Sequence, residues 1–236
     1  MSAQHHTLSL LLAPAGGELQ ALRPSVHEAD IDILGFTADI TVYERYRLDS
    51  AAQGTLLAAF AGSAQRELLS CTITLGDGPG EVAMIRDGTG LSMLQGPVVD
   101  GHRSIVLELR FVEQLPRARG HYELRYAPPA CVRANDETLS DDTAHPVWIS
   151  LSLAAGMPIG DICCPSHDAR IWYDGARSAR VLPDLTSGGD NLPFVLRYAL
   201  DGEELVEELD IFEAPDGDLY YMFVLPGEQT AETARR

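Results

Sequence analysis

The sequence predicts an all-β fold, set out as two antiparallel β-sandwich domains in tandem. Three observations carry this: apolar side chains recur at every second position, glycine- and proline-rich clusters separate the runs, and helical periodicity is scarce. In order along the chain, Phe36, Ala38, Ile40 and Val42 share one face of a first run. Leu69, Cys71, Ile73 and Leu75 share a face of the next, which makes Cys71 a core thiol. Ile105, Leu107, Leu109 and Phe111 alternate with Glu108 and Arg110, as a half-buried strand requires. Tyr122, Leu124 and Tyr126 follow, then Val147, Ile149, Leu151 and Leu153. Between the runs lie PAGGE, GDGPGE, RDGTG, DGHR, RARG, SGGDN and APDGD, whose glycines and prolines supply the backbone angles that tight connections need. SAQRELL is the best candidate for a turn of helix.

Residues 127–146, APPACVRANDETLSDDTAHP, break the pattern: proline stands at both ends, acids lie between, and no period is present. They read as a linker, which divides the chain into a first sandwich over 7–126 and a second over 147–226, with a polar tail over 227–236.

Composition narrows the function. A formal charge of −18 on 236 residues opposes nucleic acid and anionic membranes as partners, and favours a neutral or basic one. All 17 cationic side chains are arginines, so neither lysine Schiff-base chemistry nor a phosphate-loop lysine is available. Leu8 to Pro14 is too short an apolar run to span a bilayer and lacks a basic flank, so the expected location is the cytoplasm. The four cysteines form no Cys-x-x-Cys pair and are expected to be reduced.

The densest chemistry is ICCPSHDARIWY, residues 162–173. A cysteine-dependent enzyme could use Cys163 or Cys164 with His167 as its base. Such a nucleophile needs an oxyanion hole, usually at a strand-to-helix turn, and DARIWY reads as another strand. The preferred reading is a turn in which Pro165 fixes φ, Ser166 bonds the backbone and His167 caps it. His5, His6, His27, His102, His121 and His145 show no ligand spacing, and a hairpin turn accounts for APDGD without calcium. No cofactor and no metal are expected. Trp148 and Trp172 fall out of phase with the apolar faces of their strands, which suits either partial exposure at a domain or partner interface or burial under a loop.

The order of segments resembles a known family. DIDILGFTADITVYERYRL is similar to the opening of the vault protein inter-alpha-trypsin (VIT) domain, and RSIVLELRFVEQLPRARGHYELRYAPP to its last strands. ISLSLAAGMPIGDICCPSHDARI, LPFVLRYAL and DLYYMFVLP resemble the region that, in bacterial and animal members, lies between that domain and a von Willebrand type A domain. The stretch RDGTGLSMLQGPVVDG is shorter than the family's insert, and no Asp-x-Ser-x-Ser motif of a type A domain occurs. The resemblance implies a non-catalytic, scaffold-like interaction module whose type A partner is supplied by another protein. On that expectation DLYYMFVLP leaves a strand edge to cover, with Tyr221 and Phe223 as contacts and Glu203, Glu204, Glu207 and Glu208 favouring a basic partner; the competing account is that the tail or self-association covers the edge.

Overall fold

The computed structural model describes residues 8–48, 52–61, 65–76, 78–80, 83–86, 91–101, 104–129, 147–185, 192–201, 208–213 and 219–224. In chain order the strands are β1 (Leu8–Ala13), β2 (Gln20–Ala21), β3 (Val26–Leu34), β4 (Thr37–Arg47), β5 (Gln53–Ala61) and β6 (Arg66–Leu75). There follow β7 (Gly78–Gly80), β8 (Ala83–Arg86), β9 (Leu91–Asp100), β10 (Ser104–Gln114), β11 (Arg117–Ala118) and β12 (His121–Tyr126). The last are β13 (Val147–Ala154), β14 (Ile159–Cys163), β15 (Ala169–Gly175), β16 (Ser178–Pro183), β17 (Phe194–Leu200), β18 (Glu208–Glu213) and β19 (Leu219–Val224). No helix occurs among the described residues. The protein is all-β, with several mainly antiparallel sheets.

An eight-stranded sheet of order β15-β16-β13-β3-β4-β10-β6-β7 forms the central wall. A five-stranded sheet, β2-β1-β5-β9-β8, and a four-stranded one, β11-β12-β17-β14, pack on the same face of that wall. Alternation explains why one face suffices. Register sets Ala29 of β3 beside Val42 of β4, Val42 beside Leu109 of β10, and Ile149 of β13 beside Ala29, so every second side chain of four strands points to the covered side. Phe60 meets Phe111 at 5.4 Å between ring centres and joins the five-stranded sheet to the wall. The sheets approach closely there, since a Cβ on Gly96 would come within 2.6 Å of Ile73 Cδ1.

The four-stranded sheet is fastened through the β3–β4 turn. Gly35 has φ 59°, the left-handed conformation that a two-residue hairpin demands at its first central position. Its N–H donates to Ala154 O at 2.8 Å, and its carbonyl accepts the buried Tyr198 hydroxyl at 2.6 Å. Phe36, Tyr122 and Tyr198 stack in series behind it, at 6.0 and 5.4 Å.

Several expectations need correction. β13 runs parallel to β3, from Val147 beside His27 to Ala154 beside Leu34, and β12 pairs with β17. Strands from 7–126 and 147–226 thus share sheets and one core, so the division into two tandem sandwiches does not follow the sheets. Period-two patterning tells which side chains are buried, and is silent on which strand lies alongside. Residues 66–69 of SAQRELL are strand, paired to β10. A register shift between Arg110 and Phe111 inserts one extra residue in β6, so Leu68 packs on the core while Leu69 is exposed. Cys71 does sit opposite Leu109 and pack against the core. The linker residues 130–146, the tail 227–236 and the APDGD turn lie outside the described residues.

Candidate functional site

The stretch 162–173 is a staple between sheets. Ile162 and Cys163 end β14, and β15 begins at Ala169. Between them Ser166 Oγ accepts the Val195 N–H at 2.8 Å and lies 2.8 Å from His167 Nδ1. His167 is buried and packs on Phe194 at 6.2 Å. Among the described residues no hydrogen bond joins His167 to either thiol. Burial, with neighbouring Cys163 adding to it, pushes the Cys164 thiol up to about 11, away from a reactive thiolate. Cys163 itself is exposed.

A second histidine anchors a network that sequence reasoning missed. His27 Nδ1 lies 2.7 Å from Glu44 Oε1, and Nε2 lies 2.8 Å from the Tyr126 hydroxyl. Tyr46 donates its hydroxyl proton to Glu44 Oε2. All of these groups are buried. An imidazole that donates from Nδ1 to the carboxyl can accept the phenol proton at Nε2, so the neutral ring satisfies both neighbours. Burial holds Tyr126 far above its ordinary range, with the field of Glu44 adding to it, so the phenol keeps the proton it donates. The cavity bordered by His27, Glu44, Phe111, Tyr126 and Pro129 has room for about one water, too little for a substrate. These groups satisfy one another in the core. The sequence signal was Glu44 itself, a carboxyl on the apolar face of an alternating strand, which has to find buried partners.

The surface open to another molecule is the outer face of the eight-stranded sheet. Register lines up Trp148 beside Glu28, Glu28 beside Tyr43, and Tyr43 beside Glu108 across four strands. The next row runs Ser150, Asp30, Thr41, Arg110, and the next Ser152, Asp32, Asp39, Val112. The hydroxyls of Ser150 and Ser152 donate to Asp30 and Asp32. Asp32 and Asp39 face each other directly, and Arg110 bridges that repulsion with a forked contact to Asp39 at 2.6 and 3.0 Å. Over this strip the carboxylates of Glu28, Asp30, Asp32, Asp39 and Glu108 outweigh Arg110 and Arg45. Burial, then the negative fields of Glu108, Asp30 and Glu28, raise Tyr43 above its ordinary range. Trp148 is 53% exposed at one margin and Trp172 45% exposed on the edge strand β15. Period-two acids at Glu28, Asp30 and Asp32 were the signal for this face.

The other expected contacts lie elsewhere. Glu203, Glu204 and Glu207 are outside the described residues. Glu208 opens β18, and Tyr221 and Phe223 lie in β19, which pairs with β18 in a sheet of its own, Tyr221 beside Ile211 and Phe223 beside Leu209. Among the described residues no group of histidine, cysteine or acidic side chains could hold a metal. Among the described residues no helix is long and apolar enough to cross a membrane.

The class defined so far is a β-sandwich with one open, acidic, tryptophan-flanked face. No family model matches the chain, and no curated protein does. Among solved structures it is similar to a nutrient-binding protein of Legionella pneumophila, with TM-score 0.42 and 9% identity over 79% of this chain and 69% of that one. It is also similar to an M1 zinc metallopeptidase of Deinococcus radiodurans, with TM-score 0.39 and 7% identity over 90% of this chain, which spans half the length of the peptidase.

Proposed function

We propose that this chain is a non-catalytic protein–protein interaction module of VIT-like type, and that it docks a basic protein on the outer face of its eight-stranded sheet. The observation that supports this is the coincidence of an uncovered carboxylate strip with the exposed Trp148 in register beside Glu28. Buried aromatic anchors supply most interface energy, and a single-sign field steers a complementary partner. The family resemblance makes a von Willebrand type A domain, carried by another polypeptide, the candidate partner, with the cytoplasm as the meeting place. The contacts of Ser166 with His167 Nδ1 and with the Val195 N–H favour a structural turn here over the alternative, a cysteine-dependent enzyme using Cys163 or Cys164 with His167.

Binding of a separately expressed type A domain from the same host, measured by biolayer interferometry, tests the reading. Trp148→Ala should weaken it at least about tenfold. Asp30→Arg should slow association and flatten its salt dependence. Affinity and salt dependence unchanged by both substitutions would remove this face as the docking surface.

A further inference from the structure

β15 is the terminal strand of the eight-stranded sheet and, among the described strands, pairs with β16 alone. It leaves apolar side chains open: Trp172 is 45% and Tyr173 54% exposed, and Ile171 is only partly buried. Long edge strands with apolar side chains are templates for strand addition. The order of its side chains says what can be added. Around Trp172 the sequence is Arg170, Ile171, Trp172, Tyr173, Asp174: a cation and an anion at the ends, apolar groups next, and an indole at the centre.

We infer that a second copy of this chain pairs with the first through β15, antiparallel, with the twofold axis at Trp172. In that register Arg170 of each copy faces Asp174 of the other, Ile171 faces Tyr173, and the two indoles meet at the axis. Two opposite-charge pairs and two apolar pairs follow from a single register. A parallel pairing would set Arg170 beside Arg170 and Asp174 beside Asp174, and is rejected by like charge. Trp172 lies opposite Arg180, and Asp174 bonds Arg180 at 2.8 and 3.0 Å, which places the indole and the carboxylate on the outer face. Arg170, opposite Leu182, belongs to that face too, is exposed, and has no ion-pair partner among the described residues. The register shift between Tyr173 and Gly175 bends the strand at Asp174, within the reach of a long arginine side chain.

The net charge of −18 does not forbid the dimer. The edge is locally neutral, and the nearest row of the acidic strip, on β3, lies three strands inward. At about 4.8 Å per strand that is about 14 Å, beyond the Debye length of about 8 Å at physiological salt. Pairing through β15 is independent of any partner on the sheet face and leaves that face open. It joins two such faces in one continuous sheet, with seven strand spacings, or about 34 Å, between the β3 strands.

The test is a charge swap read by sedimentation velocity across a concentration series on the full chain. The unaltered chain should move from 25.6 kDa toward twice that mass as concentration rises. Arg170→Asp alone and Asp174→Arg alone should each stay monomeric, because each sets like charges together at both ends of the pair. An equimolar mixture of the two variants should dimerise again, since the mixed pair has opposite charges at both ends. A chain that is monomeric throughout the series, a dimer untouched by Arg170→Asp, or a mixture that stays monomeric while both variants keep the native far-UV spectrum would each overturn the inference.

Discussion

The two faces of the eight-stranded sheet carry the same element of chemistry, a carboxyl on an alternating strand, under opposite conditions. On the covered face Glu44 meets His27 and Tyr46, and the ring of His27 passes the chain of bonds to Tyr126, so no polar atom of the set faces hydrocarbon alone. On the open face Asp32 stands directly opposite Asp39, an arrangement that would be ruinous inside, and water with Arg110 and Ser152 suffices. The difference teaches that in this fold carboxyl position is decided by the parity of the residue along its strand, and its cost by the partners that parity brings within reach.

The sharpest way to break the comparison is to remove the inside carboxyl. Glu44→Ala strands the Tyr46 hydroxyl and one nitrogen of His27 in the core, and should lower the unfolding free energy by about 3–5 kcal/mol, measured by urea denaturation. A loss below about 1 kcal/mol would mean that the network is wetter and less closed than its burial implies.

A group lying between the two environments sharpens it further. Cys164 is half-buried, and burial, with Cys163 adding to it, raises its pKa from 9.0 to about 11. The folded state therefore holds the thiol proton more tightly than the unfolded chain does. That contribution to stability is complete below pH 9.0 and is lost as pH rises through about 11. In a Cys71→Ser, Cys131→Ser, Cys163→Ser background, which keeps the burial and removes the smaller contribution of Cys163, the iodoacetamide rate should climb only above pH 9.0, toward an inflection above that value and no higher than about 11. An inflection below about 7 would be that of an activated thiolate and would revive catalysis at this turn.

The smallest effect belongs to the open face. Ser152→Ala removes a hydroxyl that donates to an exposed carboxylate, and should change stability by no more than about 0.5 kcal/mol in the same urea titration. A loss comparable to that of Glu44→Ala would mean that the outer face is covered by something and is no docking surface.

How far the sequence can be read follows from the same parity. Alternation located the long strands, and it placed Ile40, Ile73, Leu107 and Leu151 in the core where they lie. It failed at Leu69, because a bulge adds a residue without any composition signal and puts the side chains before it, such as Leu68, on the opposite parity from Cys71 and Ile73 after it. It failed at SAQRELL, where intrinsic helix preference yields to pairing with β10. It could not foresee that β13 lies beside β3, since a parallel partner distant in sequence leaves no local mark. Of the candidate surface, Trp148 and Trp172 were legible as out-of-phase aromatics, whereas the acidic strip is assembled from three strands and becomes visible only once their register is known.

The parallel seam between β13 and β3 also bears on how the molecule comes into being. Trp148 lies 120 residues after its neighbour Glu28, as do Ser150 and Ser152 after Asp30 and Asp32. At about 5–20 residues per second, a ribosome delivers β13 roughly 6–24 s after β3. Throughout that interval the β3–β4 hairpin can form, but the far side of β3 has no neighbour, and its row of N–H and C=O groups is open to any passing strand. Loop closure over so long a separation is slow even in the finished chain. The aspartates that alternate along β3 then have a second use. They keep the nascent edge charged and soluble until its own partner is made.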